Sequence, residues 1–286
     1  MRRHRSSPRR GALAALAAAG VALGGFGALW LALPDPAPLA RAAPVTTALI
    51  EQRRAEARSH RRTLRPERAW IALERLPPHV VDAVILSEDA RFYGHEGIDW
   101  EATREAAGHD LARGHFARGG STITQQLAKN LWLGTEKSLF RKLKEALLAY
   151  KLERTLSKRR ILALYLNVAE WGDGVFGIEC GARARFGVGA TDLSVAQGVV
   201  LASMLPAPRR VDLARPSTWI KRRSRRLLDR MAQAGRLSPE EHGHASAELE
   251  RILAGPRPVE DQEEPPEDDA RGEGQDGAVV SSPAAP

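Results

Sequence analysis

Residues Gly11–Leu33, GALAALAAAGVALGGFGALWLAL, run for 23 positions without a charged side chain. As a helix rising about 1.5 Å per residue this run would reach roughly 34 Å, enough to cross a bilayer core. Arg2, Arg3, Arg5, Arg9 and Arg10 precede it. The positive-inside rule then puts the amino terminus in the cytoplasm and everything after Leu33 outside the cytoplasmic membrane. A cleavable signal peptide is the competing reading, but its apolar region is ordinarily about 7–15 residues. This run is longer and closes on Trp30, an interface residue; the small-residue stretch PLARAAPV at Pro38–Val45 leaves cleavage open.

The formal net charge of +8 combines a basic body with an acidic end, where Glu260, Asp261, Glu263, Glu264, Glu267, Asp268 and Asp269 cluster. A basic body favours an anionic partner: nucleic acid, anionic lipid or a phosphorylated substrate. The spanning topology excludes nucleic acid. Cys180 is the only cysteine, which excludes an internal disulfide and a cysteine-based zinc site. The organisation expected is a basic cytoplasmic segment at 1–10, a transmembrane helix at 11–33, and a Pro/Ala linker with a charged approach segment at 34–70. A mainly α domain follows at 71–254, cut by Gly and Pro and without strand-like alternation. The tail, 255–286, has too little to bury and is expected to be disordered.

Three segments carry chemistry. On a helix over Val81–Phe92, Val81, Val84, Ile85, Glu88 and Phe92 share one face. Glu88 then either ends a helix at solvent or is a partly desolvated carboxylate suited to accept a proton, with His95 nearby as its partner or as a structural donor. In RGGSTITQQLAKNL, Ser121 reads as an N-cap and Thr122–Trp132 as a helix. Thr122, Gln126 and Lys129 fall on its polar stripe, and its free N–H groups suit an anion; an ordinary amphipathic helix is the alternative. In SLFRKLKEALLAYKLERT, Leu139, Phe140, Leu143, Ala146, Leu147 and Tyr150 read as the buried side. Arg141 and Lys142 pair with Glu145 at i, i+4 and i, i+3. That face is either solvated or the wall of a cleft in which the two cations neutralise a diphosphate leaving group. Residues Glu170–Gly187 read as a Gly-punctuated loop.

Taken together, these segments resemble the family 51 glycosyltransferases, the peptidoglycan polymerases, and in particular their short monofunctional membrane-anchored branch, the biosynthetic transglycosylases. The resemblance rests on EDARFYGHEGID (Glu88–Asp99), RGGSTITQQLAKNL (Arg118–Leu131), RKLKE (Arg141–Glu145), KRRILALYLN (Lys158–Asn167) and GVFGIECGARARFG (Gly174–Gly187), in that order. It reaches from about Trp70 to Ala234, including Ser194-x-x-Gln197, which also reads as a capping box. Downstream there is no Ser-x-x-Lys or Lys-Thr-Gly of a transpeptidase.

The resemblance implies a mainly α, lysozyme-like domain with a small membrane-proximal subdomain. It implies polymerisation of lipid II, an undecaprenyl-diphosphate-linked disaccharide pentapeptide, into β-1,4-linked glycan with inversion and release of undecaprenyl diphosphate. By the same resemblance Glu88 is the general base, supported by Asp89, Phe92 and His95. Ser121, Thr122, Gln126, Lys129 and Asn130 lie in the donor-site motif, Arg141 and Lys142 hold the diphosphate, and Glu145 is the second carboxylate. Glu145 either orients the basic pair or holds a divalent cation, Mg²⁺ or Mn²⁺; no cofactor is obligatory. The implied partners are lipid II, the growing strand, membrane lipids and other cell-wall synthesis proteins. Two positions depart from the family pattern: Ala163 replaces a Glu, and Arg185 stands where Tyr often precedes Phe-Gly. The rival readings are a lysozyme-like hydrolase, which uses a buried Glu as acid, and a non-catalytic membrane-anchored scaffold. A hydrolase has no use for the Lys129, Arg141, Lys142 constellation.

Overall fold

A computed structural model describes residues 8–105, 120–135 and 138–255. The expected acidic tail after Gly255, most of the basic start, and Arg118 and Gly119 of the second motif lie outside the described residues. The first helix, α1 (Pro8–Ala32), contains the uncharged run. The side chains of its residues 8–12, 14, 15 and 22 are not among those described. Among the described residues no helix is long and apolar enough to cross a membrane. The end of α1 is tied to the domain by Lys151, whose Nζ donates to the carbonyls of Trp30 (2.9 Å) and Leu33 (3.1 Å). These are carbonyls of the kind a helix end leaves without a partner.

The charged approach folds onto the domain. Thr47 caps α2 (Ala48–Ser59) by accepting from the Ile50 N–H. Leu49 and Ile50 are buried with Phe176, and Arg53 pairs with the buried Glu170 at 2.9 Å.

Nearly all other buried apolar side chains form one core. Its centre is α3 (Pro78–Glu88) against α8 (Val195–Met204) and α9 (Thr218–Gln233), with α10 (Pro239–Ala254) packed on α8 and α9. The approach of α3 to α8 depends on Gly198, where an added Cβ would come within 3.1 Å of Val80 Cγ2. The expected Ser194–Gln197 capping box is present at the start of α8. On the other side, α4 (Ile123–Ala128) packs between α5 (Leu139–Thr155) and α6 (Lys158–Val168).

Four expectations need correction. The helix carrying Glu88 does not continue to Phe92. It ends at Glu88, because Asp89 leaves helical geometry (φ −163°) to serve partners elsewhere, and Phe92 lies in a separate 3-10 turn, still fully buried. The residue capping α4 is Thr122, in a reciprocal box with Gln125, and not Ser121; α4 then widens into a π turn at Lys129–Leu133. The segment Glu170–Gly187 is no loop. Its Asp173-Gly174 pair, with Gly174 at φ +74°, turns a small antiparallel hairpin, β1 (Glu170–Gly172) and β2 (Val175–Phe176). Such a pair is a strong two-residue hairpin signal. Helix α7 (Ile178–Phe186) follows.

The fourth correction concerns α5. Leu139, Phe140, Leu143 and Tyr150 are exposed, Leu139 to 92%. The buried side is Glu145, Leu148, Ala149 and Leu152. Leu148 and Leu152 meet the core, and Glu145 can accompany them only because its charge is met locally.

Candidate active site

Glu88 ends α3, yet its side chain is 8% exposed. Donors from two other helices and from its own neighbour meet it. Gln126, from α4, donates its Nε2 to Oε2 at 2.9 Å. Arg223, from α9, approaches Oε1 at 3.2 Å, and the neighbouring Ser87 hydroxyl donates to the same oxygen at 3.2 Å. The Gln126 amide is itself oriented by Tyr165 of α6, whose OH donates to Oε1 of the amide at 3.0 Å. Burial, with Glu88 and Asp89 adding to it, pushes the Tyr165 phenol well above its ordinary range. Tyr165 is therefore a donor at any working pH.

Asp89 points the opposite way. Its carboxylate faces His95 Nε2 at 2.9 and 3.0 Å and accepts from the Ile123 N–H at 3.0 Å. It thus serves the start of α4, where free N–H groups favour negative charge. Thr122, 3% exposed, is committed to the fold, because its hydroxyl caps α4 and donates to the Gly97 carbonyl at 2.6 Å. These bonds lock the Glu88 segment onto α4, so that Glu88 and Gln126 hold their mutual position. Phe92 is packed in the core, and Lys158 Nζ stands 4.5 Å over its ring. Asn130 is buried in the π turn.

The second group gathers around Glu145, whose carboxylate is 3% exposed. Arg141 Nη1 donates to Oε2 at 2.6 Å, and Lys142 donates to Oε1 and reaches Ser121 Oγ at 2.9 Å. Lys129 bridges the two groups electrically. Burial is the main cause that lowers its affinity for a proton; Glu145 and Glu88 oppose the shift, while Arg141 and Lys142 add to it. One ammonium thus feels both carboxylates and both cations. Lys129 stands between the Glu88 carboxylate with its donors and the Arg141, Lys142, Glu145 group with its concentration of positive charge.

Among the described residues, Asp89, His95 and Asp99 each bring one possible metal-ligand atom within 4.8 Å of the others. All three atoms' groups have other work: Arg91 donates to both Asp99 oxygens at 2.7 and 2.9 Å, and His95 and Ile123 occupy Asp89.

Several residues that shape this site were not singled out from the sequence. Arg223 lies 135 positions from Glu88, beyond any local pattern, although the basic run KRRSRRLLDR was visible. Tyr165 sits inside a quoted motif without an assigned role. Thr124 reaches the Glu153 carboxylate, at 2.6 Å, that also pairs with Lys158 at 2.8 Å. At the two departures, Ala163 is a buried residue of α6, and Arg185 donates to the carbonyls of Val211 and Pro208 at 3.2 and 3.1 Å.

The chain is similar to known proteins over more than half its length. The family model described as Transglycosylase matches residues 56–232. A biosynthetic peptidoglycan transglycosylase of Nitrosospira multiformis is 47% identical over 165 residues, 58% of this chain and 72% of that protein. Proteins of the same name from Nitrosomonas eutropha and Laribacter hongkongensis are 44% identical over 191 residues and 42% identical over 188. They cover 67% and 66% of this chain, and 78% and 82% of their own lengths. With a match over more than half its length, laid across the two carboxylates and the cations between them, the chain belongs to the transglycosylase family.

Proposed function

We infer that the chain is a peptidoglycan glycosyltransferase of cell-wall synthesis, which joins lipid II units into a β-1,4-linked glycan. The observation that carries this reading is the pairing of a buried, donor-held carboxylate, Glu88, with the Lys129, Arg141, Lys142 group. Acyl or hydrolytic chemistry needs no such charge, whereas departure of a diphosphate does.

In this reading Glu88 takes the proton of the acceptor sugar's 4-hydroxyl. The freed oxygen attacks the anomeric carbon of the donor from the face opposite its diphosphate, forming the new C–O bond as the old one breaks. The diphosphate leaves with the electron pair, its charge met by Lys129, Arg141 and Lys142, and the anomeric centre inverts. Gln126 and Tyr165 hold the Glu88 carboxylate in place for the transfer, and Glu145 keeps Arg141 and Lys142 together.

A divalent cation fits this arrangement poorly. Mg²⁺ and Mn²⁺ are held by six oxygen ligands in octahedral geometry. Glu145 offers two oxygens, each already accepting from a cationic side chain.

The reading includes a single-pass location in a bacterial cytoplasmic membrane with the amino terminus inside and the catalytic domain outside. The uncharged run supports it, and so does the exposed apolar row of α5. Tyr150 of that row stands 6.1 Å from the Trp30 ring at the end of α1, so row and helix adjoin and would meet the bilayer together. Membrane lipids, lipid II and the growing strand are then the contacts of one surface, and other cell-wall synthesis proteins its neighbours.

The test is Glu88→Gln in the detergent-solubilised full chain incubated with labelled lipid II. The variant should fold as the wild type does and yield no lysozyme-digestible polymer. Wild-type yield from Glu88→Gln would remove Glu88 as the base; release of small fragments from preformed glycan by the wild type would instead favour the hydrolase.

A further inference from the structure

Among the described residues one π turn occurs, Lys129–Leu133, and Lys129 is both its first residue and the ammonium that feels the two carboxylates. A π turn takes one more residue into each hydrogen-bonded ring than an α-helix does, so it rotates its side chains away from the path α4 would otherwise give them. The ring closes where the Gly134 N–H donates to the Lys129 carbonyl at 3.1 Å. Such turns are rare, and this one is fixed at both ends from outside. Its approach is fixed by the Thr122–Gln125 box and by Asp89 on the Ile123 N–H. Its exit is held by α2, which packs against it.

Gln52 of α2 accepts from the Thr135 N–H through Oε1 at 2.9 Å and donates through Nε2 to the Thr135 hydroxyl. Both bonds take hold of the residue directly after Gly134, 83 positions along the chain. Gly134 leaves helical geometry at φ +68°, and a Cβ there would stand 3.0 Å from Gln52 Oε1, so the amide lies against a position that favours glycine. Gln52 is anchored in turn. Its Nε2 also donates to Glu56 Oε1 at 3.0 Å, and Glu56 pairs with Arg53 at 2.8 Å and with Arg209 at 3.1 Å. Arg53 continues to Glu170 of β1 at 2.9 Å. A continuous set of polar contacts thus runs from the hairpin through α2 to the exit of the π turn.

We propose that Gln52 is a positioning residue for Lys129: by holding Thr135 it keeps the π turn wound, and the π turn aims the ammonium at the leaving diphosphate. The proposal rests on the function given above, in which Lys129 meets that diphosphate. It gives α2, a charged approach in the sequence, a part in chemistry that its own side chains never touch. The charged groups acting on Lys129 are Glu88 of α3 and Glu145, Arg141 and Lys142 of α5. If the turn relaxes, the ammonium moves off this seat towards water, its burial is relieved and its hold on a proton strengthens.

The test is Gln52→Ala in the full chain in neutral detergent; Gln52 is half-buried and outside the apolar core. In lipid II polymerisation kcat should fall roughly ten- to hundredfold with KM within about threefold, the loss that follows a displacement of about 1 Å at a working group. Lys129 is followed directly by NMR of ¹³C-methylated lysine amines, its signal assigned by its absence from Lys129→Arg. The midpoint of its titration should move up in Gln52→Ala, towards the ordinary lysine range. Gln52→Glu keeps an acceptor for the Thr135 N–H and should recover most of kcat and the wild-type midpoint. An unchanged kcat or an unchanged Lys129 midpoint in Gln52→Ala makes α2 a stabilising clasp only and overturns the proposal, whatever the melting temperature does. A Gln52→Glu protein no better than Gln52→Ala overturns it as well. If the wild type fails to polymerise lipid II, the function given above falls, and the Lys129 titration still decides whether Gln52 positions that side chain.

Discussion

Replacing Tyr165 by Phe removes one oxygen from the centre of the molecule and tests how Glu88 is held. The Tyr165 ring is 1% exposed, and its hydroxyl donates to Gln126 Oε1 at 3.0 Å while Gln126 Nε2 donates to Glu88 Oε2 at 2.9 Å. An amide side chain has two ends of similar shape, and the Tyr165 donor decides which end faces Glu88. Without it, the amide oxygen loses its partner and the group is free to turn, which would set an acceptor against the carboxylate. Losing a buried neutral hydrogen bond costs about 1 kcal/mol, and leaving its acceptor unsatisfied raises that to about 3 kcal/mol. For a domain of this size the melting temperature should fall by roughly 2–4 °C per kcal/mol, about 2–12 °C in all.

Tyr165 is a positioning residue, and its effect on turnover should be distinct from its effect on stability. In lipid II polymerisation at a temperature well below melting, kcat should fall roughly tenfold, equivalent to about 1.4 kcal/mol in the barrier. KM should stay within about threefold, because the phenol is screened from substrate by Gln126. A double-mutant cycle isolates the coupling: in a Gln126→Ala background, Tyr165→Phe should have almost no further effect on kcat. Fully additive losses would refute the relay from Tyr165 through Gln126 to Glu88, as would a Tyr165→Phe protein with wild-type kcat and melting temperature.

Three further outcomes follow from Lys129 and Gly181. Because Lys129 holds its proton less tightly than an ordinary lysine, the alkaline limb of kcat/KM should lie below the ordinary lysine range, and Lys129→Arg should remove that limb from the profile. Between the depressed and the ordinary value the unfolded chain binds more protons than the folded one, so the Lys129 contribution to stability should improve as pH rises through that window, measured by urea unfolding at a series of pH values. Gly181→Ala should lower the melting temperature, with an overpacking cost of about 1–3 kcal/mol, since its Cβ would stand 2.7 and 2.9 Å from Cβ and Cγ of the fully buried Trp171.

Helix starts were the most legible part of the fold, because a start is a local event. Ser194 and Gln197 carry their capping box in four consecutive residues. The second motif shows where local reading meets its limit: Ser121 and Thr122 are both capping types, and Thr122 takes the position because Gln125, three residues on, completes its box. Ser121 is left facing Lys142, 21 positions away. The Asp173-Gly174 turn was equally local and was passed over because the surrounding glycines read as a loop.

Helix faces were less legible, and α5 shows why. Periodicity finds stripes of apolar residues but carries no information on which stripe meets the core. The row with Leu139, Phe140 and Leu143 is the more apolar, yet the fold buries Leu148, Ala149 and Leu152 and takes Glu145 in with them. A carboxylate can be buried where opposite charge and hydrogen bonds meet it, and Arg141 and Lys142 supply both from the preceding turn. The i, i+3 and i, i+4 spacings visible in the sequence are what make that burial possible. The same argument applies to Glu88 with one difference. Its partners come from α4 and α9, at separations of 38 and 135 residues, so spacing along the chain contains nothing of them. At Glu145 the compensating charge is local and the carboxylate is a fixed part of the helix. At Glu88 the donors are neutral on one oxygen and cationic on the other, brought by elements that must first pack. A carboxylate whose partners exist only in the assembled fold has its position set by the elements that bring them, and position is what the proposed base needs.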